Sequence, residues 1–469
     1  MRQRLVADAA YYRELLRRRL RGRKVVVAFG QVAMLGDRVA TLRDLGAADV
    51  FALAEGIGVG DLDPADADFP WRAVGPAHTD TIMASLRGFD RALADLPVDV
   101  AAALDAFDPD RSALVLRSLW WAEDEIAGRT VWGPRQPAWV RLEEKTIIDP
   151  LWDRAGVVRA PSQVVAADRA ALAAAAAALD HGAGTVWAGD NREGWHGAGE
   201  YTRWVPDAAA VDDAVGFFAA HCDRVRVMPF LDGVPCSIHG IVCPDHVIAL
   251  RPVEAVTLRV PGQTRLRYCS SSTTWDPPDA DRESMRAMVR RVGALLRDEV
   301  GFRGTFTIDG VMTADGFRPT ELNPRFGAGL ATIARGVPEL PIYYLDLAIA
   351  DGEPWEFRGR DLEELLLSAA DANRVGGCTA RDPSERDERI RVELVEEHGA
   401  YRRAADGEVA DATIIIGPAM TGSFLRFALA PGRAPVGPPV APRAVAALAF
   451  ADRELGTSFG PLAAAPALR

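Results

Sequence analysis

The chain has 469 residues, of which 49% are hydrophobic and 26% are charged, as in ordinary globular proteins. One hydrophobic core does not extend over such a length, so two or three domains are expected. The formal net charge of -12 argues against non-specific binding to nucleic acid or to an anionic membrane surface, because both need an excess of lysine and arginine. An anionic ligand would therefore need a local basic pocket.

The cysteines and the apolar segments point to a cytoplasmic protein without a membrane partner. Five cysteines form no CxxC pair and no cluster with histidine, so neither a zinc site nor a disulfide framework is indicated. The apolar run at residues 24–29 has only the length of a strand and lacks a cleavage site. The alanine-rich stretch 166–179 is shorter than the ~20 residues that cross a bilayer.

The N-terminal region alternates strand and helix patterns. KVVVAFG at residues 24–30 predicts a buried strand, and apolar residues at Val39, Leu42 and Leu45 predict a helix after it. A second apolar run at 50–54 continues the alternation, which favours a small α/β layer fold over roughly residues 20–130. The intervening GQVAMLG does not match GxGxxG, so a dinucleotide site there is only weakly indicated.

A connector rich in proline and glycine, GPRQPAW, predicts a domain boundary near Arg135. After it come a helical segment at 141–157, a helix at 168–179, a glycine-rich hairpin at 182–204, strand candidates at 224–242 and 246–256, and a long helix at 282–299. Beyond residue 352 a third region contains the strand candidates RIRVELVEE and ATIIIGP and a closing helix. We therefore predict a mixed α/β (α+β) chain with domains at 1–135, 136–352 and 353–469.

Polar side chains alternate with apolar ones around a hairpin at residues 301–329, GFRGTFTIDGVMTADGFRPTELNPRFGAG. If its loop consists of residues 314–316, Thr313 pairs with Phe317 and Asp309 lies opposite Glu321. A two-residue loop would place the two acids on opposite faces of the hairpin.

Opposed acids of this kind suggest a cation site. Directly opposed carboxylates have Cβ atoms ~5 Å apart and repel each other unless a cation lies between them. Mg²⁺ is commonly held by one or two carboxylates together with substrate phosphates. Asn323 can add an amide oxygen, and Arg325 can bind a phosphoryl or carboxylate oxygen. The alternative is a surface hairpin with solvated acids, but the order D, E, N, P and R around one hairpin favours a functional site.

The segment GTFTIDGVMTADGFRPTELNPRFGAG resembles the metal-binding hairpin of the ATP-grasp superfamily. The resemblance implies that Asp309, Glu321 and Asn323 hold Mg²⁺, or Mn²⁺ in its place, between the phosphates of ATP. It assigns Arg325 to assisting phosphoryl transfer. It also implies an ATP-grasp fold with an N-terminal Rossmann-like pre-ATP-grasp domain and a C-terminal α+β domain.

The resemblance extends less sharply over residues 136–350. Lys145, one of only two lysines in the chain, matches the first phosphate-binding lysine of the family, although a chance lysine on a solvated helix is the alternative. The segment VMPFLDG matches the adenine-binding hinge. There the backbone of Met228 and Phe230 would bind the purine edge and Leu231 would pack on the ring; plain core is the alternative.

One feature departs from the family. A second lysine is usual on the strand before the glycine-rich loop, but this chain has VW at 186–187. Backbone N–H groups around Gly197 and Gly199 can still cradle phosphates, and Arg192 or His196 could supply the missing charge. Alternatively the loop reaches toward an amine substrate, or is a flexible surface hairpin.

Two further candidates lie on the strand at 246–256, which the resemblance places along the floor of the site. Arg251 is a candidate clamp for a carboxylate or phosphate, and Glu254 is a candidate ligand of a substrate amine. His239, on the preceding strand, is interpreted as a histidine that is simply hydrogen-bonded in place.

The family reaction is the transfer of the γ-phosphoryl group of ATP to a carboxylate, followed by attack of an amine to form an amide. We therefore expect small-molecule carboxylate and amine substrates, preferably amino acids or peptides, and a glycine-rich loop that acts as a lid. A homodimer is one option for the assembly. The alternatives are an ATP-grasp kinase, a carboxylating ligase, or a non-catalytic ATP sensor, the last because the second lysine is missing.

Overall fold

The computed structural model describes residues 2–58, 62–76, 79, 81–419 and 422–468, with side chains from residue 8 onward. Four sheets of four or more strands follow one another along the chain. The predicted boundaries near residues 135 and 352 both fall in segments that connect these sheets, and the division into domains stays a prediction. In the described part of the chain, no helix is long and apolar enough to cross a bilayer.

The N-terminal sheet is parallel, as the alternation of strands and helices predicted. Its strand order is β3-β2-β1-β4, and helices pack on both of its faces. The elements of this part are α1 (Arg2–Leu20), β1 (Lys24–Ala28), α2 (Gly36–Asp44), β2 (Asp49–Ala54), β3 (Trp71–Ala73), α3 (Ile82–Ala94), α4 (Val98–Phe107), β4 (Leu114–Leu116), β5 (Glu125–Ile126) and β6 (Arg129–Thr130).

The second sheet is antiparallel, with strand order β7-β10-β8-β9, and one of its faces is covered by α7 and α8. Its elements follow two short helices that connect it to the N-terminal part. They are α5 (Pro137–Val140), α6 (Asp149–Arg154), β7 (Gln163–Ala166), α7 (Arg169–Leu179), β8 (Thr185–Gly189), β9 (Thr202–Val205), α8 (Ala208–His221) and β10 (Arg224–Pro229).

The central sheet has strand order β13-β12-β11-β14-β15. Its elements are β11 (Val234–Val242), β12 (Val247–Arg259), β13 (Leu266–Ser272), α9 (Asp279–Val300), β14 (Gly304–Thr313) and β15 (Gly316–Asn323), followed by α10 (Ala328–Ala334), α11 (Ile342–Asp351) and α12 (Gly359–Ala372). The predicted strand at 224–242 is two strands, because the chain passes from the second sheet to the central sheet at residues 230–233.

The C-terminal sheet has strand order β16-β20-β19-β17-β18, and α13 packs on it. Its elements are β16 (Gly377–Asp382), β17 (Ile390–Glu397), β18 (Ala400–Arg403), β19 (Ala412–Pro418), β20 (Ser423–Leu429), α13 (Ala441–Leu455) and β21 (Ala463–Ala464). Both strand candidates of this region are confirmed. β21 returns to pair with β12 of the central sheet.

Helix α9 covers one face of the central sheet. The predicted apolar stripe is buried there against residues such as Phe306 and Ile308. The helix lies close to the sheet because Gly240 and Gly293 face the ring of Phe306; a Cβ on Gly240 would lie 2.5 Å from that ring. Since neighbouring residues of a strand point to opposite faces, the residues that alternate with this core point to the other face of the sheet. There Ile241 and Leu250 pack against α10, α11 and α12, and the end of β15 meets the second sheet through Arg226.

Glu254 on β12 joins the central sheet to α13. Its two carboxylate oxygens accept hydrogen bonds from the backbone N–H groups of Val440 and Ala441, at the start of the helix. The side chain is 1% exposed. The prediction that Glu254 binds a substrate amine is therefore corrected: a carboxylate is placed here because it satisfies helix N–H groups that lack intrahelical partners.

This buried carboxylate predicts a pH-dependent contribution to stability. Burial raises the pKa of Glu254 from 4.5 to about 7, although the two backbone N–H groups oppose the shift. Between these two pH values the native state binds more protons than the unfolded state, so this group loses stability as pH rises through the window. We expect the melting temperature of the wild type to fall relative to that of Glu254→Gln between pH 4.5 and 7 in calorimetric scans. A constant difference between the two proteins across this range would contradict the prediction.

Candidate functional site

The hairpin of β14 and β15 brings the predicted acids together, but its loop length and strand register differ from the predicted ones. Its loop has two residues, and Thr313 pairs with Gly316, so the predicted three-residue loop with Thr313 opposite Phe317 is wrong. Asp309 nevertheless pairs with Glu321. The prediction that the two acids are directly opposed is therefore confirmed.

A β-bulge reconciles the short loop with this pairing. Gly310 pairs with Pro319 and the neighbouring Asp309 pairs with Glu321, so Thr320 is an extra residue on β15. The register set by the loop alone would place Asp309 opposite Thr320 and turn Glu321 to the other face, because a slip of one residue reverses every side chain. The bulge thus places Asp309, Glu321 and Asn323 on one face.

Asp309 is held by two neighbours. The hydroxyl of Ser237 on β11 donates to one carboxylate oxygen, and Asn323 Nδ2 donates to the other at 2.7 Å. Burial, and next the charge of Glu321, raise the pKa of Asp309 to about 6. Two directly opposed carboxylates favour a cation between them.

The donor set fits Mg²⁺. Asp309, Glu321 and Asn323 offer carboxylate and amide oxygens from adjacent strands, and Mg²⁺ is commonly bound by one or two carboxylates with phosphates and water completing the octahedron. Within the described residues no group of three or more histidine, cysteine, aspartate or glutamate side chains forms a metal site. Two carboxylates and one amide leave coordination positions that phosphate oxygens and water can fill.

Two cations lie beside these acids, as predicted. Lys145 Nζ is 3.0 Å from Glu321 Oε1, and its side chain is 7% exposed. It lies in a turn between a short 3₁₀ helix and α6 rather than on the predicted helix. The alternative of a chance lysine on a solvated helix is therefore excluded by its position.

Arg325 is oriented by three contacts. Its Nη2 donates to Asn323 Oδ1 at 3.0 Å, and its Nε donates to Glu143 at 3.1 Å. Its guanidinium lies 4.9 Å from the centre of the Trp120 ring. Glu143 also binds the buried Arg135, and although burial opposes its ionisation, these two arginines lower its pKa. Glu143 therefore fixes Arg325 at the edge of the metal site.

The glycine-rich loop at residues 190–200 docks on the N-terminal part. The Trp195 ring stacks on Trp120 at 4.6 Å, and Arg87 on α3 binds Glu200 at 2.9 Å and the carbonyl of Trp195 at 3.2 Å. A Cβ on Gly197 would lie only 3.4 Å from the sulfur of Met83. The loop is therefore packed against the N-terminal part. Its function as a phosphate cradle, as a segment that reaches toward an amine substrate, or as a flexible surface hairpin stays a prediction.

Gly197 and Gly199 occupy consecutive turns of this loop, in which their carbonyl oxygens accept hydrogen bonds from Glu200 N and Thr202 N. His196 directly precedes Gly197; its ring stacks on that of Tyr201 at 4.3 Å, and its Nε2 lies 3.1 Å from the carbonyl oxygen of Asp190. The predicted phosphate cradle thus lies on a folded loop, and its contact with phosphate stays a prediction.

Neither of the predicted substitutes supplies the charge of the missing lysine. Burial, and next the charge of Lys145, lower the pKa of His196 to about 3, so the imidazole is neutral. Arg192 is directed away from the site and donates to the carbonyls of Ala220 and Cys222 near the end of α8. Trp187 packs in the core of the second sheet, whereas Ala188 points toward the central sheet, directly across from Arg226.

The predicted hinge lies where β10 passes into β11. The N–H of Phe230 donates to the carbonyl of Gly184 and is not free for a purine, so the predicted contact would fall to its carbonyl oxygen and stays a prediction. The Phe230 ring packs against Trp204 at 4.8 Å. Phe230 and Leu231 line an open cavity of about 300 Å³, and Met228 is buried one residue before its rim.

Arg251 lies apart from this group. Its guanidinium pairs with Asp371 on α12 at 2.6 Å, so the predicted clamp for a substrate anion is occupied by a carboxylate of the chain itself. His239 is hydrogen-bonded through Nδ1 to the Thr307 hydroxyl at 2.8 Å, as expected. Burial lowers its pKa to about 4.

Several residues of the site are not predicted by any of the sequence patterns described above. They are Arg87, Trp120, Glu143, Trp195, Arg226 and Ser237. Only Ser237 was detectable, since a polar residue alternating with apolar ones on β11 indicates a second polar strand face. The others come together through contacts between segments that are distant in sequence.

The sequence matches no protein-family model and no curated protein. Similar solved structures include pyruvate carboxylase of Rhizobium etli, with a TM-score of 0.55 and 17% identity over 92% of this chain. The match spans 37% of that longer chain. Biotin carboxylase of Campylobacter jejuni has a TM-score of 0.53 and 13% identity over 88% of this chain and 89% of that chain.

The biotin carboxylase domain of 2-oxoglutarate carboxylase from Hydrogenobacter thermophilus gives a TM-score of 0.52 and 14% identity over 87% of this chain and 86% of that chain. At these identities the likeness concerns the fold. The predicted fold class is thereby confirmed, and the chain has the ATP-grasp fold.

Proposed function

We propose that the protein is an ATP- and Mg²⁺-dependent ligase that joins a carboxylate to an amine. The observation that carries the proposal is the pairing of Asp309 with Glu321 on the polar face of the central sheet, with Lys145 and Arg325 beside it. This arrangement suits a nucleoside triphosphate with its metal ion, because the two acids can bind the metal and the two cations can bind phosphate oxygens.

Asp309, Glu321 and Asn323 would hold the metal ion, which supplies charge neutralisation to the phosphates. Lys145 would bind phosphate oxygens once a metal ion takes over Glu321, its partner in this structure. Arg325, kept in place by Glu143, would face the transferred phosphoryl group. The work of these residues is positioning and electrostatic stabilisation, which dominate phosphoryl transfer.

The reaction has two steps. A carboxylate oxygen attacks the γ-phosphorus of ATP, and the bond to the bridging oxygen breaks to release ADP and leave an acyl phosphate. The amine nitrogen then attacks the acyl carbon, phosphate leaves, and the nitrogen loses a proton. The loop at 190–200 would exclude water from the acyl phosphate, and its contacts with Trp120 and Arg87 would hold it closed.

The preferred substrates remain an amino acid or peptide carboxylate and an amine. Bicarbonate is the second candidate acid, since the Hydrogenobacter structure contains MgADP and bicarbonate in the same fold. Carboxyphosphate formed from bicarbonate would require the same cations. An ¹⁸O label can identify the acid substrate. The carboxylate oxygen that attacks ATP ends in the released phosphate, so only the true acid substrate transfers its label.

A mutation of a metal-binding acid tests the proposed function. Mixed with Mg-ATP and pools of carboxylates, bicarbonate and amines, the wild type should release ADP, form a new amide or carbamate mass, and transfer ¹⁸O from the labelled acid to phosphate. Glu321→Ala removes a group that acts on the phosphoryl charge, so kcat/KM should fall by on the order of 100-fold or more. The exposed Glu339→Ala is the matched control and should retain wild-type rates.

Each other outcome has a defined meaning. ¹⁸O in phosphate with bicarbonate alone would assign the carboxylating reaction. A stable phosphorylated acceptor would assign a kinase. Binding of ATP with no turnover in any pool would contradict the ligase proposal and indicate an ATP sensor.

A mutation in α3 tests closure of the loop. Arg87→Ala removes the ion pair with Glu200, so the loop should open more often and water should reach the acyl phosphate. We expect ADP release to exceed product formation by several-fold, and the KM for ATP to rise. The control is Arg91→Ala, an exposed arginine one turn along α3. Tightly coupled turnover in Arg87→Ala, measured as the ratio of ADP to product, would contradict a lid function.

A further inference from the structure

Arg226 is a buried arginine between the second and central sheets. Its side chain is 1% exposed. Nη1 donates to the carbonyl of Thr320 at 2.9 Å, while Nη2 and Nε donate to Asp149 at 2.6 and 3.1 Å. Arg226 therefore connects β10 of the second sheet to β15 of the central sheet, with Asp149 of α6 as its anchor.

The group that Arg226 binds on the central sheet is the extra residue of the β-bulge. Ladder pairing passes from Gly310 with Pro319 to Asp309 with Glu321, which leaves Thr320 outside it. An extra residue of this kind disrupts the ladder locally, and a buried backbone carbonyl needs a donor. Arg226 supplies that donor, and the Thr320 hydroxyl donates to the carbonyl of Asp309 at 3.2 Å.

The bulge decides which side chains reach the metal site. With the two-residue loop and no bulge, Asp309 would face Thr320, and Glu321 and Asn323 would point to the α9 face. A contact that holds the Thr320 carbonyl therefore holds the next residue, Glu321, in its orientation toward Asp309.

The position of Arg226 also bears on charge. It lies directly across the ladder from Ala188, on the strand that usually carries the second lysine of the superfamily, and on the same sheet face. Arg226 is thus a cation next to the site from which a charge is missing. Its three bonded nitrogens are directed at Thr320 and Asp149, which fixes it in place.

We propose that Arg226 is a positioning residue of the metal site: by binding the Thr320 carbonyl from the opposite sheet, it keeps the bulge formed and Glu321 directed at Asp309. This inference rests on the proposed function in that it concerns the same metal site. Arg226 would act by positioning Glu321 and would not contact the substrate.

The test compares two arginines of one strand and one face. Arg226→Met removes the donors and keeps an apolar stem, while Arg224→Met makes the same change at an exposed position two residues away. The readouts are the Mg²⁺ concentration for half-maximal ADP release, the equilibrium binding of Mn²⁺ to the protein with ADP, and the binding of ATP without metal.

For Arg226→Met we expect the half-maximal Mg²⁺ concentration and the Mn²⁺ dissociation constant to rise by about tenfold to 100-fold, the usual effect of losing a residue that orients a metal ligand. Binding of ATP without metal should change less than about twofold. Arg224→Met should match the wild type in all three. Arg226→Lys, which retains one donor, should recover part of the loss.

Asp149→Asn provides a second variant if Arg226→Met does not fold, because it loosens the anchor of Arg226 without removing the arginine. It should shift Mn²⁺ binding in the same direction by a smaller factor. Thermal unfolding separates a loss of stability from a loss of metal affinity, since a purely structural role would lower the melting temperature and leave the metal dependence of the folded protein unchanged.

The outcomes that overturn the inference differ from those that overturn the function. Wild-type metal dependence in Arg226→Met would overturn the positioning role and leave the ligase proposal intact. Equal losses of ATP binding with and without metal would also overturn it, in favour of a direct phosphate contact. If the wild type turns over no ATP, the ligase proposal fails, and Mn²⁺ binding with ADP still decides the role of Arg226.

Discussion

The structure of the site depends on one extra residue in β15. A hairpin with a two-residue loop fixes a register in which the acid of β14 and the acid of β15 lie on opposite faces. The bulge at Thr320 changes that register by one residue, so that Asp309 and Glu321 face each other. A metal ion held by both acids would depend on that change, because the ligands would otherwise be separated by the sheet itself.

The charges around the bulge are balanced in pairs. Lys145 lies against Glu321, Arg325 against Glu143, and Arg226 against Asp149. The partner of Lys145 is itself a candidate metal ligand, so arrival of a metal ion would free the lysine for phosphate. The carboxylate partners of Arg325 and Arg226, Glu143 and Asp149, are not candidate metal ligands, which suits groups that orient their neighbours. Thus Lys145 could change its partner when a metal ion binds, whereas Arg325 and Arg226 would keep theirs.

The glycine-rich loop connects this site to the N-terminal part of the chain. It is held by an aromatic stack between Trp120 and Trp195 and by the ion pair of Arg87 with Glu200. Trp120 also lies beneath the guanidinium of Arg325. The loop and Arg325 therefore contact the same ring, so that Trp195, Trp120 and Arg325 from three segments pack together beside the acids.

The sequence by itself determined the alternating pattern of the N-terminal sheet, the stripe of α9, and which acids of the hairpin are candidate metal ligands, because these depend on periodicity and on residue types within one hairpin. It did not determine the loop length, since the bulge that compensates for a short loop is stabilised by Arg226, about ninety residues earlier in the chain. It also assigned Glu254 and Arg251 to substrate, whereas their partners at Val440, Ala441 and Asp371 are brought near only by folding. Local spacing specifies on which face of a strand a side chain lies, and tertiary packing decides which groups that side chain contacts.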